Sequence, residues 1–188
     1  MITFREKDVR IFEELCWLAK DASHFSDVTI EKIAGRMNLS RQAIYKNYYR
    51  SIDDILESMH IFVDQEGQSK IKEFLRSKNS GFIHFLADEI LPIIYEKRQF
   101  QATLYRYDPT WLSYIEKAYL PIFSRYLKET IKVTFDSDFA ARLVIQQILT
   151  ILSQWVQKEQ PETPLDFHDK FIYLLSVSPT ELMNEKFL

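Results

Sequence analysis

Residues 28–56 read VTIEKIAGRMNLSRQAIYKNYYRSIDDIL, and the helix starts and stops within them decide the fold. Thr29 stands where an N-cap accepts an orphan amide. Behind it Ile30, Ile33, Ala34 and Met37 recur at helical spacing to bury one face. Glu31 puts an acid in the first turn, where the helix dipole favours it. Asn38 ends that helix, because Asn tolerates the left-handed backbone a C-terminus needs. Leu39 then anchors the turn, and Ser40 caps a second helix starting at Arg41.

In that second helix Ile44 and Tyr48 lie four apart and pack inward, so Arg41, Gln42, Tyr45 and Lys46 project outward. These residue types reach base edges and phosphates: Arg to guanine, Gln to adenine, Lys and Tyr to backbone oxygens. No acid lies between Glu31 and Asp53, while Lys32, Arg36, Arg41, Lys46 and Arg50 do, in a chain whose formal net charge is -3. A local basic patch on a mildly acidic protein is an electrostatic footprint for DNA. The predicted contacts to double-stranded DNA are Thr29, Arg36, Arg41, Gln42, Ala43, Tyr45, Lys46 and Arg50. A helical hairpin whose basic residues merely face solvent has the same pattern.

The segment resembles the N-terminal domain of the tetracycline-repressor-like (TetR) family of transcriptional regulators. It matches in order at Thr29, at the pair Ile33 and Ala34, at Leu39 and Ser40 in the turn, at Tyr45 with an aromatic after it, and at Asp54, Ile55 and Leu56. It departs at Asn38, where the family usually has Gly, and at the start of the fourth helix, where the family's phosphate-binding Lys is missing and Arg50 is the nearest substitute. The resemblance implies an all-α protein: an N-terminal three-helix helix-turn-helix domain, residues 1–50, followed by a larger helical ligand-binding and dimerisation domain, residues 51–188. It also implies a homodimer on a palindromic operator.

The rest of the chain is consistent with that. Only three glycines occur, and the prolines fall where helices begin, kink or end. A single cysteine, Cys16, excludes an intramolecular disulfide, suits a reducing cytoplasm and reads as a small buried hydrophobe. The N-terminus alternates charged and apolar residues and is not a signal peptide. A first helix is expected over Phe4–Ala22, with Arg5, Lys7 and Arg10 near DNA-facing ends. A fourth is expected from Asp53 to Gly67 or Phe74, then a loop over Ser77–Gly81, a helix from Phe82 kinked or restarted at Pro92, and one over Phe100–Tyr107. Asp108 and Pro109 should open a long helix as N-cap and N1, interrupted at Pro121.

Leu143–Gln157 carries no charge in fifteen residues. It is too short and polar to span a membrane, which takes roughly 20 apolar residues, so it is either central to the core or shared with a partner. With the helix after QPETP it resembles the pair through which the family dimerises. Leu149, Leu152, Phe167, Phe171 and Leu174 are the predicted interface.

Enzyme chemistry has little foothold: the chain has no Gly-rich phosphate loop, no G-x-S-x-G elbow and no C-x-x-C. No cofactor is expected. His60 with Asp64 and His84 with Asp88 share helical faces, and a metal-sensing regulator is one alternative, although no metal site is assigned. The other alternative is an all-α interaction module that has lost DNA binding. Aromatic residues crowd the middle of the chain, from Tyr95 to Tyr126. Such a cluster is either core or the lining of a pocket for a small apolar or aromatic effector. Tyr95, Phe100, Tyr105, Tyr107, Trp111, Tyr114 and Trp155 are the predicted lining. The reading is a cytoplasmic, ligand-responsive repressor.

Overall fold

Asp8, an acid in the first turn, sets the start of the first helix, α1 (Glu6–Asp21). Its carboxylate accepts from the Arg5 amide at 3.0 Å and from the Arg5 guanidinium at 2.8 and 2.9 Å. Burial pushes the Asp8 carboxyl up, but the Arg5 hydrogen bonds outweigh it and hold the group below its ordinary range. The computed structural model describes residues 2–77, 79–130 and 136–184. The regular elements among them are all helical.

After a 3₁₀ turn over Phe25–Asp27 come α2 (Ile30–Arg36), α3 (Arg41–Asn47) and the long α4 (Ile52–Ser77). α4 begins where Ser51 Oγ accepts from Asp54 N at 3.0 Å and Asp54 reaches back to the Arg50 amide at 2.9 Å, an exchange of the capping-box kind. It runs past Phe74, further than the sequence predicted. Next is a continuous helical stretch: α5 (Phe82–Phe85), a π turn over Leu86–Ile90 and α6 (Leu91–Glu96), which carries Pro92 in its first turn. α7 (Arg98–Tyr107), α8 (Trp111–Thr130), α9 (Ser137–Val156), α10 (Pro164–Ser176) and the unanticipated α11 (Pro179–Asn184) complete the chain.

Two expectations around α8 are corrected. Asp108 is not its N-cap: Oδ1 accepts from Thr110 N at 2.8 Å and Thr110 Oγ1 at 2.7 Å, an Asx turn that delays the helix to Trp111. Nor does Pro121 interrupt it, since Pro121 and Lys117 are both exposed and water can serve the carbonyl that the proline leaves unpaired.

α1 packs on α2, α4 and α7, while α4 also meets α6 and α8, and α8 pairs most extensively with α9. Phe4, Phe12, Phe62 and Phe100 interlock edge-on or tilted at 5.3 to 5.7 Å, joining α1, α4 and α7. Cys16 is buried in this region, and burial pushes its thiol up to about 12, as a packing residue requires. α9 is long and apolar enough by composition to cross a membrane, but its stripe of Ile145, Leu149, Leu152 and Val156 is buried in the protein.

Candidate nucleic-acid interface and cavity

The α2–α3 hairpin is held by caps. Thr29 Oγ1 accepts from Lys32 N at 3.3 Å and Ser40 Oγ from Ala43 N at 3.1 Å. Between them Leu39 N reaches Ala34 O at 2.9 Å and Asn38 N reaches Gly35 O at 3.2 Å, with Asn38 at φ 55°. Those two bonds and the left-handed residue make a Schellman turn. Ile30, Ile33, Ala34 and Ile44 are buried beneath it, whereas Tyr48 is half-buried under the Arg5 guanidinium, 4.5 Å from its ring centre.

Arg41, Gln42, Tyr45 and Lys46 are exposed on α3. The Arg41 guanidinium donates to Tyr45 Oη at 3.2 and 3.1 Å, so these two are arranged relative to each other before any partner arrives. Gln42 and Lys46 have no hydrogen bond or ion pair among the described residues. Ala43 is half-buried, and the Arg50 side chain is exposed. Thr29 is exposed too, its oxygen engaged as the cap.

Arg36 is placed differently from the expectation. It pairs with Glu14 and lies 3.5 Å over the Trp17 ring, which makes it a clamp between α2 and α1. Arg5 has a part the sequence only hinted at. Besides gripping Asp8, it donates to Asn47 O at 3.2 Å and so braces the C-terminal end of α3.

A cavity of about 90 Å³ opens between α4, the α5–α6 stretch, α7, α8, α9 and α10. Its walls are mostly Ile and Leu, with Asp64, Gln101, Tyr105, Trp111 and Tyr119 as the polar points. Tyr105 and Trp111 line it as expected, together with Tyr119 and Phe123 from the same cluster. The other predicted lining residues lie elsewhere. Phe100 belongs to the phenylalanine cluster, and Tyr107 donates to Ala19 O at 3.0 Å and stacks on Phe25. Tyr95 stacks on Trp155, whose Nε1 donates to Glu162 O at 3.0 Å, while Tyr114 stacks on Trp111 and lies beside His60.

The predicted dimer residues are also redistributed. Leu149, Leu152 and Phe171 line the cavity, Phe167 stacks at 4.7 Å on Trp155, and Leu174 is half-buried. The uncharged run Leu143–Gln157 occupies the later part of the longer α9 (Ser137–Val156) and its C-cap, and Leu149 and Leu152 on it face the protein's own interior. The large apolar side chains left outside on α9 and α10 are Phe139, Leu143, Leu165 and Tyr173.

The two histidine pairs do not form as metal sites. His60 Nε2 bonds Asp108, Asp64 Oδ1 accepts from Tyr119 at 2.7 Å, and Asp88 pairs with His168 rather than His84. No group of three metal-ligating side chains occurs among the described residues.

Asp64 is the electrostatic centre of the cavity. Burial pushes its carboxyl up to about 6, against hydrogen bonds from Tyr119 and Tyr114 and the more distant charges of Lys72 and Lys97. The Tyr114 phenol is pushed up to about 12 and that of Tyr119 well above its ordinary value, in both cases first by burial and then by the Asp64 charge. Asp64 Oδ2 and Trp111 Nε1 are buried without a hydrogen-bond partner among the described residues.

No family model matches the sequence, and no curated protein matches it. Solved structures do match. A TetR transcriptional regulator from Streptococcus agalactiae 2603V has a TM-score of 0.55 and 20% identity, over 90% of this chain and 93% of that one. Thermus thermophilus FadR, a TetR-family transcriptional repressor in complex with lauroyl-CoA, has a TM-score of 0.56 and 15% identity, over 92% and 97%. A TetR/AcrR-family regulator from Thermobifida fusca YX-ER1 has a TM-score of 0.55 and 16% identity, over 91% and 97%. At such identities the likeness is one of fold: the chain has the all-helical fold of the TetR-family transcriptional regulators, along nearly its whole length.

Proposed function

We propose that the protein is a TetR-type transcriptional regulator, a cytoplasmic homodimer that binds a palindromic operator and releases it on binding a small molecule. Residues 1–50 are the DNA-binding domain in this reading, and residues 51–188 bind the effector and the second subunit. The observation that carries it is the outer face of α3, where Arg41, Gln42, Tyr45 and Lys46 stand exposed on a hairpin fixed by two caps and a Schellman turn. Arg41 and Gln42 read base edges, and Tyr45, Lys46, Thr29 and Arg50 hold phosphates. Arg36 is left out of the contact set because Glu14 and Trp17 occupy it.

The exposed faces of α9 and α10 supply the dimer contact, around Leu143 and Leu165. A two-fold axis there sets two α3 helices one DNA turn apart, roughly 34 to 36 Å, and demands an inverted repeat. The cavity supports the ligand response, and so does the amphiphile held by a regulator of the same fold, the lauroyl-CoA of T. thermophilus FadR.

Selection of bound fragments from random double-stranded DNA tests the reading. An enriched inverted repeat, bound much more tightly than scrambled DNA at one fixed salt concentration, is the expected result. Absence of any enriched sequence overturns it.

A further inference from the structure

We propose that the cavity takes a lipophilic ammonium ion, whose N–H donates to Asp64 Oδ2 and whose apolar body lies along the Ile and Leu walls of α6 and α9. This rests on the reading of the cavity as an effector site and names the chemistry of its ligand.

Asp64 is only 8% exposed, and one of its two oxygens is unserved. Tyr119 donates to Oδ1 at 2.7 Å and the Tyr114 hydroxyl also bears on the carboxylate, yet Oδ2 has no well-formed hydrogen bond among the described residues. Buried carboxylates are normally paired with a cation or fully hydrogen-bonded, because an uncompensated one costs several kcal/mol in a low-dielectric interior. Among the described residues that line the cavity there is no Lys, Arg or His. The two described lysines whose charges act on Asp64 are engaged elsewhere: Lys97 pairs with Glu66 at 3.3 Å and Lys72 bonds Gln68. His60, one turn away on α4, is taken by Asp108. The missing positive charge is therefore left to the occupant.

Two further features of the wall select the same chemistry. Trp111, Tyr105 and Tyr119 are aromatic neighbours for a cation, and their ring faces attract positive charge in a desolvated site. Trp111 Nε1, beside the Tyr105 hydroxyl, is a second buried group with no well-formed hydrogen bond among the described residues, so the best ligand also carries an oxygen near its ammonium. An anionic head placed at the same depth meets the Asp64 charge with nothing to screen it. The site thus discriminates by repulsion as well as attraction.

The test uses three probes of equal chain length on the intact protein: n-octylammonium, 1-octanol and octanoate. Affinities are measured by calorimetry and by quenching of tryptophan emission at pH 7.5. Octylammonium is expected to bind ~10-fold or more tightly than octanol, as a charge-assisted hydrogen bond implies, and octanoate weakest of all. Asp64→Asn should abolish the advantage of the ammonium and leave octanol binding nearly unchanged. The ranking within the wild-type protein stands independently of whether that variant folds. Equal or tighter binding of octanol or octanoate by the wild type overturns the proposal, as does a full ammonium preference in a folded Asn variant. Operator DNA is titrated in parallel. Octylammonium binding that leaves DNA affinity unchanged counts against the regulatory reading alone, since the ligand ranking is read without DNA.

Discussion

Replacing Asp64 by Asn removes one ionisation while keeping size and shape, and it leaves an oxygen for the Tyr119 hydroxyl to donate to. In the folded protein the carboxyl is pushed from its ordinary 3.8 up to about 6, chiefly by burial. A folded-state value above the unfolded one means that folding favours the protonated acid. The wild type should therefore lose stability as pH rises from about 4 to about 6, and carry the full penalty above that. A displacement of this size corresponds to ~3 kcal/mol. Asn carries no such penalty, although its amide NH₂ inherits the unserved position of Oδ2 and costs a fixed ~1–3 kcal/mol at every pH. The informative quantity is therefore the difference in stability between the two proteins as a function of pH.

Groups present in both proteins largely cancel in that difference. These are the phenols of Tyr105, Tyr114 and Tyr119, all pushed upward by burial and far from the window, the side chains of Lys72 and Lys97, and His60 with Asp108. Urea denaturation at pH 4.5, 6.0 and 7.5 is the assay. Between the extremes the balance should swing in favour of Asn by ~2 kcal/mol, because about a third of the penalty is already present at pH 4.5, or roughly 4 to 8 °C in midpoint temperature for a chain of this size. Parallel pH profiles, with a constant offset, would refute the argument that Asp64 is an uncompensated buried acid. The case for a cationic ligand would lose its footing with it.

Three further sets of substitutions test the remaining assignments. Arg41→Ala should cost about 1 to 3 kcal/mol at the operator and relax preference at one position, whereas Lys46→Ala should weaken all sequences alike and lower the salt slope by about 1, both read by titrating specific and random DNA. Asn38→Ala should destabilise the protein by ~1 kcal/mol, because Ala keeps the Cβ at φ 55° without the short polar side chain that lets Asn tolerate it, and Asn38→Gly should not, because Gly has no Cβ there; equal denaturation midpoints would contradict the turn geometry. Leu143→Glu with Leu165→Glu should give a folded monomer by light scattering, while Phe171→Ala, at 1% exposure, should cost ~3–5 kcal/mol through the space it leaves. A double variant that stays dimeric places the interface elsewhere.

The parts of this molecule that were legible in sequence are those governed by local chemistry. Thr29, Asn38 and Ser40 are cap and turn residues whose preferences act within three or four positions, and each occupies the place its chemistry suggests. Facing was legible only where polar and apolar residues alternate cleanly, as along α3. In α9 apolar residues cover most of the circumference, and tertiary packing alone decides that Leu149 and Leu152 turn inward while Leu143 stays out. The same holds for the aromatic cluster. Tyr105 and Tyr107 are two residues apart, which on a helix sends them to different sides, one to the cavity and one to Ala19 and Phe25. Pairings across the chain left no mark at all. Nothing near His60 in sequence points to Asp108, and i,i+4 spacing suggested Asp64 instead.

Those long-range pairings bear most directly on the proposed ligand response. α4 carries Val63, Asp64, Gly67 and Ile71 in the cavity wall, and on the same helix Phe62 interlocks with Phe4 and Phe12 of the N-terminal segment. α7 makes a second link, from Tyr105 in the wall to Tyr107, which bonds the Ala19 carbonyl near the end of α1. α1 in turn braces α3 through Arg5 and through Asp8, which accepts from Tyr49 at 3.4 Å. A ligand that drew Asp64 toward a cation would act on α4 at a point about half a turn from Phe62, in a core where close packing transmits displacement instead of absorbing it. Continuity of contacts is not itself coupling. Coupling requires that the ligand bind the DNA-competent and DNA-incompetent arrangements with different affinity. An unpaired charge provides such a difference, because the strength of its ion pair depends steeply on how closely the surrounding helices exclude water.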